Sequence, residues 1–199
     1  MSALFDRLST LFHAGSHVGP LGLRDEREFV AHEPRPAAVL MAVTDRAEPG
    51  ILLTHRPDTM TSHPGQVAFP GGKLEPEEDA VAAALREAHE ELAIDPAQVR
   101  VVGAADSFVT GSGYRLTPVL GLVPPDLPLR PDPREVADWF EAPLRFVLDQ
   151  RNHRSKVGLF RGIERPYIEI EWQGHRIWGI TASIIANLSH RLAWQELAD

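Results

Sequence analysis

Residues 72–94, GKLEPEEDAVAAALREAHEELAI, constrain this chain more than any other stretch. Positions 80–92 are rich in helix formers and free of Gly and Pro, and Asp79 ahead of them suits an N-cap. Val81, Ala84, Leu85, Ala88 and Leu92 recur at helical spacing and predict one buried stripe. At about 100° per residue, Glu87, Glu90 and Glu91 fall within an arc of about 100° beside that stripe. The sequence therefore predicts three carboxylates on one edge of a half-buried helix, in its last turns, where the macrodipole is negative. Like charges at i,i+4 repel by about 0.2–0.5 kcal/mol, and no lysine or arginine is read on that edge to offset them. A divalent cation resolves the conflict, and oxygen donors without Cys or His point to Mg²⁺ or Mn²⁺. A solvated acidic helix face is the plainer alternative for a Glu-Glu pair.

The wider pattern separates these readings. The spacing G-x5-E-x7-R-E-x2-E-E is satisfied by Gly72, Glu78, Arg86, Glu87, Glu90 and Glu91. It resembles the Nudix box, the signature of hydrolases that cleave a nucleoside diphosphate linked to another group. The box has many fixed positions, so it is far more specific than a lone glycine-rich loop. One position departs from it: Ala93 stands where the family usually has a glycine. Glycine there serves a left-handed helix cap, at a difference of about 1 kcal/mol.

Composition sets outer bounds. The 199 residues are 43% hydrophobic, enough for one core and one domain, taken as 1–199 with residues 1–36 as an arm added to the core. A net charge of -8 argues against nucleic acid and anionic membrane as partners, and leaves an anionic small-molecule substrate open where metal and local cations are present. The chain has no cysteine, which excludes disulfides, thiolate metal sites and a cysteine nucleophile. No apolar run approaches about 18 residues and the first residues are not a secretory signal, so a cytoplasmic location is expected.

Along the chain, residues 2–12 read as a short amphipathic helix with Leu4, Phe5, Leu8, Leu11 and Phe12 on one side. His13 and His17 are four apart, but Gly15 and Gly19 weaken a helix there. Residues 24–29 suit another short helix. Residues 37–44 and 50–55 read as strands joined by a hairpin loop. Strands follow at 99–108 and 116–123, with a Gly-rich loop between them and a proline-dense loop over 124–133. Residues 135–144 resemble the segment in Nudix proteins that leads from an acidic strand edge into a short helix, expected here at 144–149. Residues 156–160, 167–172 and 175–177 read as edge strands, with a turn at Gln173-Gly174. A last helix runs from Trp178-Gly179 to about Leu197, with Ile180, Ile184, Leu188 and Leu192 on its apolar face.

A second motif lies ahead of the box. Leu52-Leu53-Thr54-x-Arg56 and Gly65-x3-Phe69-Pro70-Gly71-Gly72 resemble the extra signature of the coenzyme A pyrophosphatase branch of the Nudix family. Two positions depart: Pro57 replaces a small residue, and Thr61 replaces a second arginine. Glycines in this stretch let backbone groups approach a ligand closely, and Arg56 and Lys73 can meet phosphates.

The resemblance implies a mixed sheet sandwiched between helices, an α/β (α+β) fold of α/β/α layers. It implies hydrolysis of the pyrophosphate of coenzyme A or its thioesters, dependent on Mg²⁺ or Mn²⁺. The expected alternatives are NADH, ADP-ribose or a related nucleotide as substrate, or a non-catalytic nucleotide sensor. Carried over by position, Glu87 and Glu91 are metal ligands and Glu90 is a third ligand or the base. The Gly71 carbonyl is a further ligand, and Arg86 pairs with Glu78 to lock the loop against the helix. Glu135, Asp138 and Glu141 are base candidates from outside the box. Arg56, Gly65, Phe69 and Lys73 are expected at the substrate, with Arg115 behind them. The arm is expected to pack near the site and gate access.

Overall fold

The computed structural model describes residues 2–17, 26–60, 63–160 and 162–194. Its centre is an eight-stranded mixed sheet. Strand β1 (Arg35–Thr44) turns back through a hairpin into β2 (Gly50–His55). The short β3 (Val67–Ala68) pairs with the end of β2, and β4 (Gly71–Lys73) pairs with the first half of β1. After helix α2 (Ala80–Leu92) come β5 (Arg100–Ala104), β6 (Phe108–Val109) and β7 (Tyr114–Val123). β7 runs parallel to β1 along all ten residues, while the remaining pairs are antiparallel. β8 (Asp138–Pro143) closes the far edge against β2 and leads into α3 (Leu144–Leu148).

Alternation along β1 divides the core into two layers. Ala38, Leu40 and Ala42 face α2, where Ala84, Ala88 and Leu92 meet them with Val119 and Val136. Met41 and Val43 face the other way. That side is covered by α1 (Ala3–Ala14), by α3, by α4 (Gly179–Arg191) and by a second sheet. The expected layers of helix, mixed sheet and helix are what the chain forms.

Helix α2 occupies the expected span. Asp79 accepts from the amide of Ala82 at 2.8 Å and so satisfies one of the free donors of the first turn. At the other end Ala93 adopts φ 57° and ψ 32°, and its N–H reaches the carbonyl of His89. Alanine thus takes the left-handed cap that glycine usually holds.

Three elements differ from the sequence reading. The strand expected over 99–108 is two, β5 and β6. Its ladder breaks where Ala105 N–H donates to Pro118, which has no N–H to return. The three C-terminal strands are not edges of the main sheet. β9 (Arg154–Phe160), β10 (Ile163–Trp172) and β11 (His175–Trp178) form their own antiparallel meander, with Gln173 and Gly174 at positive φ in the expected turn. Helix α4 ends at Arg191, with Ala193 at φ 45°; residues 195–197 of the expected helix lie outside the described residues. Ile180 is 38% exposed, so the buried face of α4 is carried by Ala182, Ile184, Ile185 and Leu188.

The N-terminal helix does not sit beside α2. Leu8 and Phe12 of α1 are buried in the layer on the opposite face of the sheet, against β5 and α4. The expectation that it gates the acidic edge is therefore corrected.

Candidate active site

The acidic edge of α2 is built as two connected groups. The first is organised by Arg86. Its Nε donates to Glu78 Oε1 at 2.8 Å and its Nη2 donates to Glu78 Oε2 at 3.1 Å and to the carbonyl of Lys73 at 2.9 Å. This fork ties the loop after β4 to the helix, and the pairing holds the Glu78 carboxyl below its ordinary range. Arg86 Nη1 reaches Glu87 Oε1 and Glu90 Oε2, each at 3.0 Å. The cation missing from the sequence reading of this edge is therefore Arg86 itself, four residues before Glu90.

The second group is Glu87, Glu91 and Glu135, each of which offers one carboxylate oxygen, the three lying within 4.8 Å of one another. Glu91 is 4% exposed. Burial, and then the charges of Glu87 and Glu135, push its carboxyl up to about 8; Arg56 and the N–H of Gly71 act in the opposite sense. Burial also raises Glu87, against the pull of Arg86. Gly72 allows this packing: a Cβ there would stand 2.3 Å from Glu87 Oε1. At Gly71 a Cβ would stand 2.3 Å from the carbonyl oxygen of Ala38, so only glycine lets β4 lie this close to β1.

The expected site residues distribute unevenly over this geometry. Glu87 and Glu91 are together. Glu90 stands outside the three-carboxylate group, with its side chain 52% exposed and held by Arg86. Gly71 meets Glu91 through its N–H. Arg56 is half-buried and close enough to act on Glu91 electrostatically. Lys73 is exposed beside the loop that Arg86 fixes. Gly65 turns an exposed loop at φ 65°. Phe69 is 4% exposed and belongs to the core layer opposite α2, so it is a packing residue and not a platform for a ligand. Arg115 pairs with Glu33 at 2.6 Å. Thr61 lies outside the described residues, and so does the side chain of His17.

Glu135 is the third carboxylate, delivered from the opposite direction by the loop after β7. That loop is anchored on the end of α2: Arg130 N–H donates to Leu92 O at 3.0 Å and Asp132 N–H to Glu91 O at 2.9 Å. These bonds also satisfy two of the free carbonyls of the last turn. Of the other two acidic candidates, Glu141 is committed to Thr44 and Arg46 at the far end of β1. Asp138 accepts from the N–H of Trp139.

The donor set fits a hard divalent cation. It is all oxygen, it concentrates like charge around one nearly buried carboxyl, and it contains no nitrogen or sulfur ligand.

Comparison with known proteins now bears on this geometry. A family model described as the NUDIX domain matches residues 34–158, more than half of the chain. The chain belongs to the Nudix family. The uncharacterized Nudix hydrolase NudL of Escherichia coli K12 is 41% identical over 165 residues, covering 82% of this chain and 84% of that protein. A protein of the same name from Shigella boydii matches at the same identity and coverage. Among solved structures, the Nudix hydrolase RenU from M. smegmatis superposes with a TM-score of 0.50 at 24% identity, over 58% of this chain and 74% of that one. That likeness bears on the fold alone. Residues 1–33, with helix α1, lie outside the Nudix match. No helix among the described residues is long and apolar enough to cross a membrane.

Proposed function

We propose that this Nudix protein hydrolyses the pyrophosphate bond of coenzyme A and its thioesters, releasing 3′,5′-ADP and 4′-phosphopantetheine or its acyl form. The observation that carries hydrolysis is the convergence of Glu87, Glu91 and Glu135 around one buried carboxyl. The coenzyme A assignment is supported by the residues ahead of the box, Leu52-Leu53-Thr54-x-Arg56 and Gly65 through Gly72.

In this reading Glu87, Glu91 and Glu135 hold Mg²⁺ or Mn²⁺. A bound cation supplies charge neutralisation at the pyrophosphate and lowers the pKa of water. Each carboxylate keeps a second oxygen, and that of Glu135, the exposed member, is the one assigned to accept the proton of the attacking water. Attack at one phosphorus forms a P–O bond and breaks the bridging P–O bond, and the leaving phosphate departs as an anion. Arg86 and Glu78 keep the loop at Gly71 and Gly72 against the helix, so that Glu87 and Glu91 stay in register. Glu90 holds Arg86 from the other side. Arg56 and Lys73 are assigned to the substrate phosphates, including the 3′-phosphate that distinguishes coenzyme A from NADH and ADP-ribose. The substrate partner is a small nucleotide, and neither nucleic acid nor membrane has a role in this reading.

The test is turnover with Mg²⁺ and then Mn²⁺ on coenzyme A, acetyl-coenzyme A, dephospho-coenzyme A, NADH and ADP-ribose. Release of 3′,5′-ADP from coenzyme A, with dephospho-coenzyme A a poor substrate, is expected. Preference for NADH or ADP-ribose would remove the coenzyme A assignment and leave the hydrolase, with Pro57 and Thr61 as the departures to examine. No turnover with either metal would leave a nucleotide sensor.

A further inference from the structure

Glu135 stands on a turn that is pinned at both ends. On one side is the bond from Asp132 N–H to the carbonyl of Glu91. On the other, Ala137 N–H donates to the carbonyl of His55 at 2.8 Å. Between them Val136 is 1% exposed and locks the turn into the α2 layer. His55 is the last residue of β2, so one strand end carries both the anchor of the Glu135 turn and, as its next residue, Arg56.

The His55 side chain leads to the second sheet. Its Nε2 lies 2.8 Å from Nδ1 of His175, one ring donating and the other accepting. His175 opens β11 and stacks on Phe140 of β8, with ring centroids 3.8 Å apart and planes 9° apart. The stack fixes the orientation of the His175 ring, and the hydrogen bond then fixes His55. Backbone pairing of His55 with Val67 and Asp138, and the bond from Arg56 N–H to the carbonyl of Gln66, also hold this strand end, and the side-chain clasp adds to them.

We infer that His175 is a positioning residue for the metal centre: through its hydrogen bond to His55 it holds the strand end from which Arg56 and the Glu135 turn are hung. The inference rests on reading Glu87, Glu91 and Glu135 as cation ligands. Groups that orient metal ligands from behind typically change metal affinity by about 10–100-fold when removed.

The test is Mn²⁺ binding to the full chain without substrate, read from the loss of the free-Mn²⁺ paramagnetic resonance signal, with the thermal midpoint recorded alongside. His175→Phe keeps the stack on Phe140 and loses the bond. His175→Asn places a polar atom close to the position of Nδ1 and restores it. Mn²⁺ affinity about tenfold weaker in His175→Phe, with recovery in His175→Asn, is the expected result. Unchanged affinity in His175→Phe, even with a lower midpoint, would reduce the histidine to a packing role and overturn the inference. So would a loss that His175→Asn does not restore. Wild-type protein that binds no Mn²⁺ would remove the ligand reading, and the inference with it. If His175→Phe yields no folded protein, His55→Phe and His55→Gln cut and restore the same bond from the other side, with the same expectations.

Discussion

The two faces of the central sheet each bury an ionisable side chain, and they treat it in opposite ways. On the α4 face Arg191 is 7% exposed. Its Nε donates to the carbonyl of Phe12 at 3.0 Å, its Nη1 lies 3.5 Å from Asp106, and its guanidinium stacks 4.0 Å above the Phe12 ring. On the α2 face Glu91 is 4% exposed, and two of its nearest charged neighbours are the like charges of Glu87 and Glu135. A buried charge with its partners in place joins a helix to the fold. A buried carboxyl facing charges of its own sign keeps its proton until a cation arrives to favour its charged form. The first arrangement is structural, and the second is the one proposed above to hold a cation.

The largest effect that can break this contrast is at Glu91. Glu91→Gln is expected to lower metal-dependent turnover by at least about a hundredfold while keeping the fold, checked by steady-state rates beside circular dichroism. A variant with normal turnover would remove Glu91 from the metal centre.

The second effect is a pH dependence of the metal-free protein. The Glu91 carboxyl sits near 8 in the folded chain, against an ordinary value of 4.5. Between these values the unfolded chain has released a proton that the native state keeps, so stability falls as pH rises. The contribution is full below about 4.5 and lost by about 8, a change of up to about 5 kcal/mol. Urea unfolding with chelator at pH 5 and pH 8 measures it. Added Mg²⁺ or Mn²⁺ stabilises more at pH 8 than at pH 5, and Glu91→Gln flattens the chelated profile. A profile that rises with pH would place Glu91 in a different environment.

How much of this contrast was legible in the sequence depends on the range of the contacts that make it. Helix α2 was readable because its cap, its apolar stripe and its carboxylates all lie within residues 79–92. The convergence of Glu87 and Glu91 on one edge follows from that periodicity, and the pairing of Arg86 with Glu78 from the likeness to the box. The clasp of Arg86 on Glu90 is an i,i+4 pair and so has a local signature, which the pattern of carboxylates on this edge masks. Glu135 could be named as an acidic candidate but not chosen over Asp138 and Glu141. Its position is set by bonds from Asp132 to Glu91 and from Ala137 to His55, which join segments about 40 and about 80 residues apart and have no local signature. Phe69 shows the converse. Its motif suggests a ligand contact, yet just past β3 its ring is buried with Val67 in the opposite layer. The pairing of the last three strands into a separate sheet was also beyond local pattern, because strand signals carry no information about which sheet a strand joins.

A smaller effect sharpens the structural side. Arg191→Leu leaves the carbonyl of Phe12 without its donor and removes the stack that holds α1 to α4. A loss of about 2 kcal/mol is expected in urea unfolding, with turnover per folded molecule unchanged. Loss of turnover at full stability would mean that the α4 face communicates with the site, and the two faces would no longer be separable.

The smallest effect is at the end of α2. Ala93 holds φ 57°, a left-handed conformation that glycine adopts without a Cβ penalty. Ala93→Gly relieves that strain and at the same time adds freedom to the unfolded chain, so the two terms oppose. At a left-handed cap the first is larger, and a net gain of about 0.5–1 kcal/mol is expected in the free energy of urea unfolding. Turnover is expected to be unchanged, because the Ala93 side chain is a methyl group and the loop bonds to Glu91 and Leu92 carbonyls do not pass through it. A gain in stability with reduced turnover would indicate that strain at this cap sets the angle at which the last turn presents Glu91. The alanine would then be part of the site's geometry, although it carries no ligand.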